Sequence, residues 1–171
     1  MQTIVVRCVA FIVFLNFTSF AENWPGWRGS LGMGKAEGEN YHTTCSRDKN
    51  VRWRIDLQER GNSSPICENG IIVAMGGYRG TAMGKRACGA GDVSATHQIW
   101  TRPREKQRMG FGVLVGGHVY ISNEDGVAQC IEARQGKVVW EKRLRVAGGN
   151  GKSWSSMVVS GDHLYAINQS G

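Results

Sequence analysis

Along residues 111–144, apolar and polar positions alternate in short runs broken by glycine turns. Phe111 to Val115 reads as a first strand, and Gly116-Gly117 ends it. His118 to Ser122 follows, with Val119 and Ile121 on one face and His118 and Tyr120 on the other. That is the two-residue period of a half-buried strand. Asn123-Glu124-Asp125-Gly126 then turns, and its Asp-Gly pair signals a hairpin because both central residues can take positive φ. Val127 to Glu132 is a third strand, Arg134-Gln135-Gly136 a third turn, and Lys137 to Leu144 a fourth strand. Turns this short predict an antiparallel meander, since parallel pairing needs a crossover of about a dozen residues or more. No stretch longer than two turns carries a helical period.

The same pattern recurs along the chain. Val51 to Leu57 (VRWRIDL) is related to Val138 to Leu144 (VVWEKRL), with Gln98-Ile99-Trp100 a weaker relative. After each Trp comes a polar connection, then a small-residue step into a strand: Ser63-Ser64-Pro65-Ile66, Gly110-Phe111-Gly112-Val113, and Ser155-Ser156-Met157-Val158. A turn and another strand follow at Asn69-Gly70-Ile71, Gly116-Gly117-His118 and Ser160-Gly161-Asp162-His163. Trp53, Trp100 and Trp140 are 47 and 40 residues apart, and Tyr120 and Tyr165 are 45 apart. Four short strands per unit of about 40–50 residues is the signature of propeller blades. The fold expected is therefore all-β, a partial β-propeller of four-stranded antiparallel blades, with about three incomplete blades. The blade begun at Ile71 loses its pattern between Tyr78 and Asp92.

The segment Val127 to Trp140 (VAQCIEARQGKVVW) resembles the repeat of quinoprotein-type propellers, an apolar strand followed by Ala-x-x-Gly-Lys-x-x-Trp. Here Glu132 to Gln135 lacks the usual Asp and Thr around the Ala. The resemblance implies that Ala133, Gly136 and Trp140 form a docking unit in which the Trp packs on the neighbouring blade beside the glycine turn. Further on in the resemblance, Trp24-Pro25-Gly26-Trp27-Arg28-Gly29, Gly32-Met33-Gly34, Asn50 to Trp53 and Gly61 to Pro65 occur in the order seen in exported bacterial proteins that bind, or resemble binders of, pyrrolo-quinoline quinone. The alternative for the Trp/Gly segment is a plain N-terminal strand closing a sheet.

The N-terminus reads as an export signal over residues 1–21, followed by the propeller domain over 22–171. Arg7 is the charged n-region, Cys8 to Leu15 the apolar run, and Ser19-Phe20-Ala21 a small-x-small cleavage site after Ala21. A buried N-terminal strand is the competing reading. The apolar run is too short for a permanent span, and no apolar stretch of 18 residues follows it. The implied location is periplasmic or extracellular. Such a compartment is oxidising, so one or two disulfides among Cys45, Cys67, Cys88 and Cys130 are open, as are isolated cysteines buried in strands. The pairing is not readable from the sequence.

Composition sharpens the picture only in part. Among 171 residues, 24 Gly against 3 Pro is roughly twice the average glycine usage and suits many tight turns. The formal charge of +7 is concentrated at Arg102 to Arg108 and at Lys142 to Arg145. These read as solvated rim connections, or as a surface for an acidic envelope polymer or lipid; nucleic acid is not an expected partner of an exported chain.

Catalytic chemistry does not gather. The resemblance admits a dehydrogenase that holds the quinone with calcium, uses an Asp base and often carries adjacent cysteines. No two cysteines are adjacent here, and Asp48, Asp56, Asp92, Asp125 and Asp162 are scattered without a calcium-loop pattern. Asp125 and Asp162 read as turn residues. Ser63-Ser64 and Ser155-Ser156 repeat, as do His118 and His163, which points to structure. His42 and His97 stand singly, and Gly84 to Gly91 (GKRACGAG) lacks the phosphate-loop spacing. No catalytic or metal residue is therefore assigned, and cofactor-binding residues are left open. The function expected is an exported, non-catalytic propeller-type binding or scaffold protein, whose partner is an envelope or secreted polypeptide meeting open sheet edges or the propeller face. The alternative is a quinoprotein-like oxidoreductase subunit that binds pyrrolo-quinoline quinone with calcium. The repeat count also suggests a shortened relative or a fragment of a longer reading frame.

Overall fold

A computed structural model describes residues 22–36, 41–57, 63–76, 81–103, 111–145 and 152–169. The segment 1–21, where an export signal is expected, Tyr78, and the basic run from Arg104 to Arg108 lie outside the described residues. Every regular element among the described residues is a strand.

Two complete antiparallel blades form the body. The first orders β2 (Ile66–Glu68), β3 (Ile71–Met75), β4 (Ala82–Arg86) and β6 (Gln98–Arg102) from one edge to the other. The second orders β7 (Val113–Val115), β8 (His118–Ser122), β9 (Val127–Glu132) and β10 (Val138–Arg143). A third unit contributes β11 (Val158–Ser160) and β12 (His163–Tyr165). Among the described residues the partial propeller is thus two four-stranded blades and a two-stranded third unit. The blade begun at Ile71 is complete, unlike the sequence pattern suggested. Its outermost strand arrives only after an excursion over residues 87–97 that hides the repeat.

That excursion carries β5 (Gly91–Asp92), which pairs in parallel with β1 (Trp53–Arg54). The meander expectation was purely antiparallel. Here the strands β2 to β4 lie between the two partners in sequence and supply the crossover that parallel pairing needs.

Turn chemistry fixes the registers. Asn69 and Gly70 both have positive φ (50° and 74°), as do Gly116 and Gly117 (57° and 77°), the mirror-image turn whose twist matches a hairpin. The Asp125-Gly126 turn differs from its expected form. Only Gly126 has positive φ, its N–H donates to the Asn123 carbonyl at 3.0 Å, and the Asn123 side chain accepts from the Val127 N–H at 2.9 Å. This is a type I turn closed by a left-handed glycine.

The core lies between the two blades. Val73, Met75 and Trp100 of the first face Leu114, Val119, Ile121 and Ile131 of the second. Val119 and Ile121 are on the buried face, as their alternation predicts, while Tyr120 turns to a smaller cluster with Val113, Ala128 and Met157 toward the third unit. Blade-on-blade burial of this kind is the dominant favourable term in such a stack.

Candidate functional site

The blades are joined at their outer side by a tryptophan. In both blades the residue before the Trp, Ile99 or Val139, is skipped in the strand register, so a bulge re-aims the indole that follows. Trp100 is buried, lies over Gly84 of its own blade, and packs onto Gly136 of the next; a Cβ on Gly136 would stand 2.5 Å from its ring. Its Nε1–H donates to the Ala133 carbonyl at 2.7 Å, and Arg102 donates to the Gly136 carbonyl at 2.7 Å. Ala133 and Gly136 are therefore the docking turn that the resemblance implied. The Trp they receive is Trp100 of the preceding blade, and not Trp140. Trp140 is 42% exposed and meets the Tyr120 ring at 6.2 Å. The correction follows from geometry: the Trp of one blade reaches forward to the turn of the next.

Inner edges are joined by the N-terminal segment. Trp24 exchanges two backbone hydrogen bonds with Cys67 in β2, at 2.7 and 2.8 Å. The next residue, Pro25, accepts from the Leu114 N–H in β7 at 2.8 Å. The segment is thus a clasp across two blades rather than a strand closing one sheet. Asn23 caps the Asn69 N–H at 2.9 Å. Gly29 has φ +79° and packs against the Trp24 indole, where a Cβ would come within 2.9 Å.

Beyond the clasp, residues 25–32 arch over the inner strands of the second blade and the third unit. Together with Val113, Val115 and residues 156–159 they enclose a cleft of about 550 Å³, a size suited to small-molecule or side-chain binding. Its walls are largely apolar, and among the described residues Arg28 is the single ionisable side chain lining it. Arg28 sits 5.6 Å over the Trp27 ring, which stacks at 6.0 Å on Phe111. Sequence reading missed this cleft because its walls come from three distant segments.

The residues weighed for chemistry stay apart. Ser156 Oγ accepts from the Phe111 N–H at 3.0 Å, and Ser155 bonds the Ile167 carbonyl, so the repeated serines hold backbone. His118 bonds the Gly116 carbonyl at 3.0 Å, and His163 pairs with Asp162; each lies beside the Tyr two residues on. Asp92 pairs with Arg54 at 3.4 Å and bonds the Ser94 N–H, which together hold its carboxyl below the usual range, the Ser94 bonds most strongly. Arg143 donates to the Asp125 carbonyl at 2.7 Å, so this basic run partly ties down a turn. Cys45 and Cys88 are exposed, Cys67 half-buried and Cys130 buried, and none is in a disulfide. Burial pushes the Cys67 and Cys130 thiols up.

The donors that a calcium-held quinone needs are not gathered among the described residues. Among the described residues no three His, Cys, Asp or Glu side chains come together as a metal site. The described residues that line the cleft include no carboxylate.

Stacked four-stranded blades, a tryptophan docked on an Ala-x-x-Gly turn, and an apolar cleft at the inner edges define a quinoprotein-like β-propeller repeat protein. The chain belongs to the family described as outer membrane protein assembly factor BamB, whose sequence model matches residues 36–171. No curated protein sequence matches it. In fold it is similar to BamB from Moraxella catarrhalis (TM-score 0.55, 20% identity, over 73% of this chain and 39% of that one). It is also similar to the quinohemoprotein alcohol dehydrogenase ADHIIG from Pseudomonas putida HK5 (TM-score 0.50, 16% identity, over 67% of this chain and 18% of that one). The chain thus spans well under half the length of either. Among the described residues no helix is long and apolar enough to cross a membrane.

Proposed function

We propose that this is an exported, non-catalytic propeller-type binding protein that takes a polypeptide of the cell envelope at its inner face. The cleft under the clasp carries the reading: its walls are largely apolar, and Arg28, the one ionisable group lining it among the described residues, can orient a ligand through its guanidinium fork. The family name, outer membrane protein assembly factor, suits a partner of this kind. The proposal includes residues 1–21 as the export signal, cleaved after Ala21, a propeller domain over 22–171, and a periplasmic or extracellular location. The alternative, a quinoprotein-like oxidoreductase subunit, has fold likeness in its favour.

Reconstitution with pyrrolo-quinoline quinone and calcium, followed by a dye-linked alcohol oxidation assay, tests the reading. The expected result is no turnover above the protein-free control. Calcium-dependent turnover overturns it.

A further inference from the structure

We infer that the cleft under the clasp recognises acidic apolar peptide segments, in which a large apolar side chain stands next to a carboxylate. This rests on the binding role proposed above and specifies its ligand chemistry. Leu31 and Trp27 on the clasp side, and Val115, Val158 and Val159 on the strand side, are all exposed at the rim of one cleft. Exposed apolar residues scattered singly mean little, but five gathered around a concavity mark an interaction site. The volume of about 550 Å³ admits a few side chains, not a folded domain.

Charge decides the class of peptide. Arg28 is exposed at the cleft, and among the described residues no acidic side chain lines it. Its guanidinium lies over the Trp27 ring, and that face contact leaves the planar fork free to bind a carboxylate in two-point fashion. An apolar peptide side chain entering between Leu31 and Val158 would place a neighbouring carboxylate within reach of Arg28. A basic peptide would meet the same guanidinium as a like charge.

The test is fluorescence anisotropy on the full chain at low salt. The probes are a fluorescein-labelled peptide alternating Glu with Phe and Leu, and its counterpart with Lys in place of Glu. The acidic peptide is expected to bind at least about tenfold more tightly than the basic one. That preference should weaken as salt rises toward physiological strength. Arg28→Gln should abolish the preference while apolar affinity persists, and Val158→Asp should weaken the acidic peptide at least about tenfold. Val139→Asp, on the exposed outer strand away from the cleft, should leave it unchanged. Thermal melting of each variant confirms that it is folded. Equal binding of the two peptides, or an unchanged preference in Arg28→Gln, overturns the inference. Neither outcome touches the quinone assay above, so failure here and failure of the non-catalytic reading are separable.

Discussion

The Trp100 indole donates its Nε1–H to the carbonyl of Ala133, one blade away, at 2.7 Å. A single side chain therefore joins the outer strand of the first blade to the turn of the second. The bond is buried, and the ring fills the space that Gly136 leaves open by lacking a Cβ. A lost partner in such a place costs both packing and a desolvated polar group.

Trp100→Ala is expected to destabilise the chain by about 3–5 kcal/mol, the range for a large buried aromatic. Trp140→Ala, at the equivalent place in the second blade but 42% exposed, should cost roughly 1 kcal/mol or less. Urea unfolding of the two variants checks the contrast. Similar losses would contradict the forward docking of Trp100 alone.

Two glycines under the same ring separate sterics from backbone strain. Gly84 has ordinary backbone, and an added Cβ would meet Trp100 Nε1 at only 2.2 Å. Gly136 has both a close approach and φ +69°. Gly84→Ala should cost about 1–3 kcal/mol through overpacking alone, and Gly136→Ala about 1 kcal/mol more from its left-handed backbone. In the double variants with Trp100→Ala, the Gly84 penalty should largely vanish and the Gly136 strain should remain.

Loosening the clasp should be visible at a distance. Gly29→Ala forces a left-handed residue against the Trp24 ring. Amide exchange at Leu114, whose N–H is held by the Pro25 carbonyl at 2.8 Å, should then quicken, while Val119 in the core should be unaffected. Equal change at both amides would mean global destabilisation rather than release of the clasp.

Among the described residues Lys85 is the largest fully buried side chain, and its ammonium donates to Gln98 Oε1 at 2.8 Å. Burial lowers its pKa from the ordinary 10.5. The unfolded chain then binds more protons than the folded one between the two values, so this group's contribution to stability rises with pH in that interval. Its penalty is present below that interval and is relieved as pH approaches 10.5. Lys85→Met should therefore stabilise the chain more at pH 7 than near pH 10.5, with the gain shrinking as pH rises toward that value. Thermal melts across pH 7–10.5 give the sign directly.

Thiol labelling should divide the cysteines. In the full chain carrying Cys8→Ser, Cys45 and Cys88 should react quickly, and Cys67 and Cys130 slowly, because burial both shields the latter and raises their pKa. Four equally fast thiols would contradict the packing of β2 and β9.

Much of this was legible along the chain. His118–Ser122 and Val127–Glu132 are the strands that alternation and turn residues bound, and the Asn-Gly and Gly-Gly turns take the conformations such pairs favour. The Ala133/Gly136 turn was legible as a docking place, because its spacing resembles a known repeat. What escaped was anything carried by long-range contact. Trp100 looked like the weakest of the repeated tryptophans, since the 87–97 excursion blurs its frame, yet it is the one that docks. The Asp125-Gly126 turn escaped because the Asn123 side chain selects its geometry. The cleft escaped because its walls, residues 25–32, 113–115 and 156–159, meet only when blades stack.

Equilibrium dialysis of pyrrolo-quinoline quinone against the full chain, with and without calcium, tests the binding-protein account most directly. The account expects the quinone to reach the same concentration on both sides whether calcium is present or not. Calcium-dependent retention of about one quinone per chain would contradict it.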